Sequence, residues 1–178
     1  MNHPAHLYTS GTRVLMLCSR NKDSVTTKKR TLFRVSHNSD EFFEALSELC
    51  SLKAPRERVY ASLNTSCLRK ASRLFKQRQL DAEYDKFPLD FYNRLQDRWV
   101  SCLRAPTSQE THLWMFDCDS NEDHRELGEE LKVLGVRMLY AYPTKNGVHL
   151  ITNSFNKSLL TDKSAAMLHT NGMMLWNY

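Results

Sequence analysis

Between residues 111 and 116 the chain runs Thr-His-Leu-Trp-Met-Phe, an apolar stretch too short for a helix, and it stops on Asp117-Cys118-Asp119. A run of that length closed by polar residues is expected to be a strand in the middle of a sheet. The strand period of two sends Asp117 and Asp119 to the same side. Converging carboxylates repel each other unless protons or a cation neutralise them, and hard oxygen donors of this kind suit Mg²⁺ or Mn²⁺. The plainer alternative has Asp119 capping the next helix, with Asp117 beside it in solvent.

The residues C-terminal to the pair give it context. Glu122 to Leu134 is an acidic amphipathic helix with Leu127, Leu131 and Leu134 on one side and Gly135 to end it. Val136 to Tyr142 and Val148 to Thr152 are strands flanking Pro143-Thr-Lys-Asn-Gly147, which has the composition of a hairpin loop. His149 lies on the second strand, with Ile151 on its own side. Gly147 would let a ligand approach the backbone closely. The imidazole can donate to a phosphate oxygen, and Lys145 adds a point charge. Taken singly, each has a structural alternative: a buried histidine bonded to a carbonyl, and a loop lysine in water.

The succession of strand, Asp-x-Asp, helix, strand, turn and Gly-x-His strand resembles the archaeo-eukaryotic primase superfamily, the primase-polymerase catalytic fold. Its first motif is similar to Leu113-Trp-Met-Phe-Asp117-Cys-Asp119, and its second to Lys145-Asn-Gly147-Val-His149-Leu-Ile. The resemblance covers mainly residues 110–178. It implies an RRM-like catalytic sheet beside a smaller α/β unit, divalent metal on Asp117 and Asp119, and contact of His149, Lys145 and Gly147 with an incoming nucleoside triphosphate. The family places a further acidic residue on a later strand. Here Asp162 lies in a segment of loop or helix-start character, and Asn171, at a strand edge, is neutral.

The N-terminal part carries a second, independent pattern. Residues 1–109 hold 19 Lys and Arg against 11 Asp and Glu, whereas residues 110–178 hold 6 against 9. A basic half beside an acid-rich one suggests a polyanion-facing surface next to a cation site. Thr12 to Cys18 and Arg30 to His37 form an expected hairpin around a turn at Asn21 to Ser24. Ser39 or Asp40 is expected to cap a helix with Phe42, Phe43, Leu46 and Leu49 at helical spacing. Arg58 to Leu63 is a strand, and Asn64 or Thr65 would cap a helix reaching Leu80. On that helix Leu68, Ala71, Leu74 and Phe75 point inward, while Arg69, Arg73 and Lys76 project together and could track a nucleic-acid backbone. Tyr60, Tyr84, Tyr92 and Trp99 could stack on single-stranded bases, although Trp99 and Phe91 also fit a core. Leu89 to Leu103 is expected as one helix, and Met173 to Tyr178 as a last strand.

Several classes fall away. Five cysteines without a Cys-x-x-Cys pair provide neither a zinc nor a redox motif and fit a reducing compartment. No Gly-rich phosphate loop is present. The N-terminus has no signal-peptide pattern and no run reaches membrane-spanning length, so a soluble cytoplasmic protein is expected, in the host cytoplasm if it is a viral accessory protein. A haloacid-dehalogenase phosphatase would need Thr or Val where Asn121 stands. Cys118 between two aspartates would be held as a thiol.

The expected architecture is α+β, a single primase-polymerase-like domain with helices packed on a mixed or antiparallel sheet, residues 1–109 forming the basic part and 110–178 the RRM-like part. The expected function is metal-dependent nucleotidyl transfer on a nucleic-acid template, with a helicase or other replication factor as a candidate protein partner. Two alternatives stand beside it. One is a non-catalytic nucleic-acid or protein binding module on the same fold. The other is a metal-dependent nuclease using Asp117, Asp119 and Glu122 or Asp123, with His149 as base or phosphate donor.

Overall fold

The computed structural model describes residues 10–19, 30–84, 88–144 and 147–177, and its strands form two four-stranded sheets in which every pairing is antiparallel. The fold is α+β. The chain divides into two compact units, one extending to Thr111 and regaining the chain at Met173, the other spanning His112–Gly172. Among the described residues no helix is long and apolar enough to cross a membrane.

In the first unit, β1 (Ser10–Ser19) pairs with β2 (Thr31–Asn38) as the expected hairpin; the turn at Asn21 to Ser24 lies outside the described residues. Helix α1 (Ser39–Ser51) is capped by Asn38, not by Ser39 or Asp40. The Asn38 side chain accepts from the Glu41 N–H, while the Glu41 carboxylate accepts from the His37 N–H and from the Asn38 side-chain amide. Phe42, Leu46 and Leu49 are buried, whereas Phe43 points away. Strand β3 (Glu57–Ser62) pairs with β1, and buried Arg13 donates to the carbonyls of Ser62 and Leu63.

Helix α2 (Leu68–Tyr84) starts later than the sequence suggests. Asn64 and Thr65 do not cap it: both bond to Thr111, while Ser66 N–H donates to the Thr12 carbonyl and Cys67 N–H to that of Ser108. The expected helix Leu89 to Leu103 is two, α3 (Pro88–Asn93) and α4 (Leu95–Leu103), broken at Arg94, whose backbone leaves the helical region (φ −125°, ψ 31°). A core of Val14, Ala71, Val100, Cys102 and Leu103, flanked by Phe75 and Trp99, holds α2 and α4 to the sheet.

The second unit runs β4 (Leu113–Cys118), α5 (Asn121–Val133), β5 (Met138–Pro143), β6 (Val148–Asn153), α6 (Asp162–Met167) and β7 (Leu168–His169), with strand order β5-β6-β4-β7. This is the βαββαβ connectivity of an RRM-like sheet, with its first and third strands at the centre. Ser120, rather than Asp119, caps α5 by accepting from the Asp123 N–H. Gly135 takes the left-handed conformation (φ +66°) that ends a helix. Phe116, Cys118 and Leu150 bury one face of the sheet against Leu127 and Leu131 of α5. Glu130 accepts hydrogen bonds from the Thr161 N–H and hydroxyl and from Ser164, fastening the first turn of α6 to α5. Strand β8 (Met173–Asn177) then joins β3 in the first unit's sheet.

Candidate functional site

Strand alternation decides which side chains meet on the sheet of the second unit. Phe116 and Cys118 face α5, so Met115 and Asp117 face the other way. Across the central pairing Asp117 stands directly opposite His149, and across the β5–β6 pairing His149 stands directly opposite Tyr142. The three side chains form one hydrogen-bonded row. His149 Nε2 is 2.9 Å from Asp117 Oδ1, and His149 Nδ1 is 2.5 Å from the Tyr142 hydroxyl. The Tyr142 ring meets the imidazole edge to face, and its hydroxyl is 3.8 Å from Met115 Sδ.

Exposure falls along this row. The Asp117 side chain is 45% exposed and that of His149 9%, while Tyr142 is 3% exposed. The row therefore presents a carboxylate to solvent and hides its histidine and tyrosine. Tyr142 does not emerge from motif reading. The hairpin does contain the signal: Pro143 pairs with Val148, which sets Tyr142 against His149.

The structure brings Asp117 and His149 together and treats the other sequence candidates differently. Strand β4 ends at Cys118, so Asp119 lies one residue beyond it, exposed, and the period-of-two argument applies to Asp117 alone. Gly147 does permit a close approach, but by the chain's own backbone. A Cβ there would lie 1.8 Å from the Cys118 carbonyl oxygen and 2.9 Å from the Asp119 carbonyl carbon. The hairpin thus seats directly on the end of β4. Lys145 lies outside the described residues.

Cys118 is fully buried, and its thiol is pushed up to about 11, first by burial and then by the carboxylates of Asp123, Asp117 and Asp119. It stays protonated at neutral pH and is no nucleophile. Asp123, a candidate for the nuclease reading, accepts from Ser120 and pairs with Lys163 at 2.9 Å; these contacts hold its carboxyl below the usual range. Lys163 also pairs with Glu126 at 2.6 Å.

As for a third acid, Asp162 is exposed in the first turn of α6, Asn171 sits in the turn after β7, and β7 itself offers only Leu168 and His169. Among the described residues no group of three or more His, Cys, Asp or Glu is placed to hold a metal ion. Two neighbouring carboxylates with solvent access are nevertheless the donor set Mg²⁺ uses when substrate phosphates and water complete its shell. Asp117, with its side chain 45% exposed, and exposed Asp119 both keep that access.

In the first unit, Arg69, Arg73 and Lys76 are exposed along α2 and, with Ser72, Gln77 and Leu80, line an open groove of about 590 Å³. The aromatic candidates are mostly committed elsewhere. Trp99 packs edge to face on Phe75, the Tyr92 hydroxyl donates to Glu83, and Phe91 is buried; the Tyr84 side chain lies outside the described residues. Tyr60 is half-buried on β3. Comparison with family models, with curated proteins and with solved structures returns no match for this chain.

Proposed function

We propose that this protein carries out primase-polymerase-like nucleotidyl transfer on a nucleic-acid template, with Mg²⁺ or Mn²⁺ brought to Asp117 and Asp119 together with a nucleoside triphosphate. The observation that supports this reading best is the cross-strand pairing of Asp117 with His149 on the two central strands of a βαββαβ sheet, half open at the carboxylate. An acid and an imidazole at hydrogen-bond distance there can serve one polyphosphate.

In this reading Asp117 and Asp119 would hold the metal, which would supply charge neutralisation at the transferring phosphoryl group, and the chain's residues bind and orient. The His149 Nε2–H, now given to Asp117, becomes a donor to a phosphate oxygen as the triphosphate enters. Lys145 supplies a positive charge to the same end of the nucleotide, while Gly147, filled by the end of β4 and bonded to Thr144, shapes the hairpin rather than touching the ligand. Arg69, Arg73 and Lys76 neutralise the template backbone through counterion release. Rate enhancement comes from positioning and charge stabilisation, with no protein nucleophile, which accords with the protonated state of Cys118. A cytoplasmic location and a helicase or other replication factor as partner belong to the same proposal.

A second reading, a non-catalytic nucleic-acid or protein binding module on this fold, is favoured by one observation: the later strand β7 has no acidic residue. Primer extension and dinucleotide synthesis with Asp117→Asn and Asp119→Asn separate the two. Activity in the wild type that each replacement abolishes supports catalysis. Activity that survives both replacements rejects the site assignment, and a wild type that binds nucleic acid without extending it favours the binding module.

A further inference from the structure

Tyr142 belongs to no motif, yet it is the buried end of the row that contains His149. An ionised carboxylate only accepts, so the hydrogen shared between Asp117 Oδ1 and His149 resides on Nε2. The other ring nitrogen of a neutral imidazole then bears a lone pair, which needs a donor when it is buried. The Tyr142 hydroxyl stands 2.5 Å from Nδ1 and can supply it. The same face also carries Tyr140, opposite Ile151, and His169, opposite Met115, but the residue of β5 that stands directly opposite His149 is Tyr142.

We propose that Tyr142 is a positioning residue: its hydroxyl, donating to Nδ1, acts with Asp117 to hold His149 in the Nε2–H tautomer and aims that hydrogen at the solvent-facing end of the row, where a triphosphate oxygen is received. The inference rests on the nucleotide reading above for its ligand, and on the observed row alone for its geometry. Tyr142 acts through His149 and touches no substrate. Its reach is set by the hairpin register, since a one-residue slip of β5 on β6 would turn the hydroxyl to the opposite face.

The test uses the full chain at one pH. Imidazole ¹⁵N spectra report which ring nitrogen of His149 carries hydrogen, and titration with adenosine triphosphate and Mg²⁺ reports affinity. The wild type should show Nε2 protonated and Nδ1 bare. Tyr142→Phe keeps the ring volume; it should mix the tautomers and weaken triphosphate binding roughly five- to tenfold, the scale of one lost hydrogen bond. In a His149→Ala background the same substitution should have no further effect on affinity. A wild-type spectrum with hydrogen on Nδ1, an unchanged tautomer in Tyr142→Phe, or equal weakening in both backgrounds would each overturn the proposal. If the wild type binds no triphosphate, the nucleotide reading fails, and the spectra alone still decide the role of Tyr142. Should Tyr142→Phe not fold, the wild-type tautomer serves as the deciding observation.

Discussion

A methyl group at position 147 would sit 1.8 Å from the Cys118 carbonyl oxygen, a contact that can be relieved only by moving the hairpin or the end of β4. Gly147→Ala should therefore cost roughly 2–3 kcal/mol of stability and displace Asp119 from the hairpin, measured by chemical denaturation and by loss of triphosphate affinity. Cys118, on the opposite face, provides a pH test. Its thiol is raised from 9.0 to about 11 in the folded chain, so the folded state holds the proton more tightly than the unfolded state does. Stability from this group is intact below about pH 9 and drains away as pH climbs toward 11. Thermal unfolding should show that alkaline decline, and Cys118→Ala should flatten it. The sequence already indicated a suppressed thiolate from the flanking aspartates; the larger cause, burial against α5, needed the face of β4 to be known.

At the scale of elements, Glu130 fastens α6, and through it β7, to α5. Burial raises the Glu130 carboxyl, but the bonds from Ser164 and Thr161 outweigh it and leave it below its ordinary value. The contribution is thus present above the unfolded value and is lost as pH falls through the folded one. Glu130→Gln should cost about 1–2 kcal/mol at neutral pH and remove part of the acid sensitivity, as measured by denaturation at several pH values. Helix α2 makes a different claim. If Arg69, Arg73 and Lys76 each meet a phosphate, single-strand affinity should fall with salt with a slope of about −2 from these contacts, and replacing all three with Ala should remove that slope. Elements defined by strong local signals were legible from sequence: β4 by its short apolar run, α5 by its leucine spacing and Gly135, the β5–β6 hairpin by Pro143 and Gly147. Elements decided by tertiary context were not. Phe91, Leu95 and Trp99 keep helical spacing through the break at Arg94, which no Gly or Pro announces. Asn64 and Thr65 look like caps but are committed to Thr111, a residue far along the chain.

At the scale of the molecule, the antiparallel βαββαβ sheet of residues 112–172 sets Asp117 and His149 on its two central strands, and a short hairpin fixes the register that adds Tyr142. The acid and the histidine were visible as motif residues, because each sits beside a recognisable strand signal. Tyr142 was not, since only pairing register assigns it a neighbour. The return of β8 to the sheet of β3 was likewise beyond local pattern, because nothing in Met173–Asn177 names its partner. In the proposed function Asp117 and His149 serve one polyphosphate. Equilibrium binding of a nucleoside triphosphate with Mn²⁺ to the wild type, Asp117→Ala and His149→Ala tests it most directly. The wild type should bind saturably, and each variant should lose at least tenfold in affinity, about 1.4 kcal/mol. Equal binding by all three proteins, or binding by none, would contradict it.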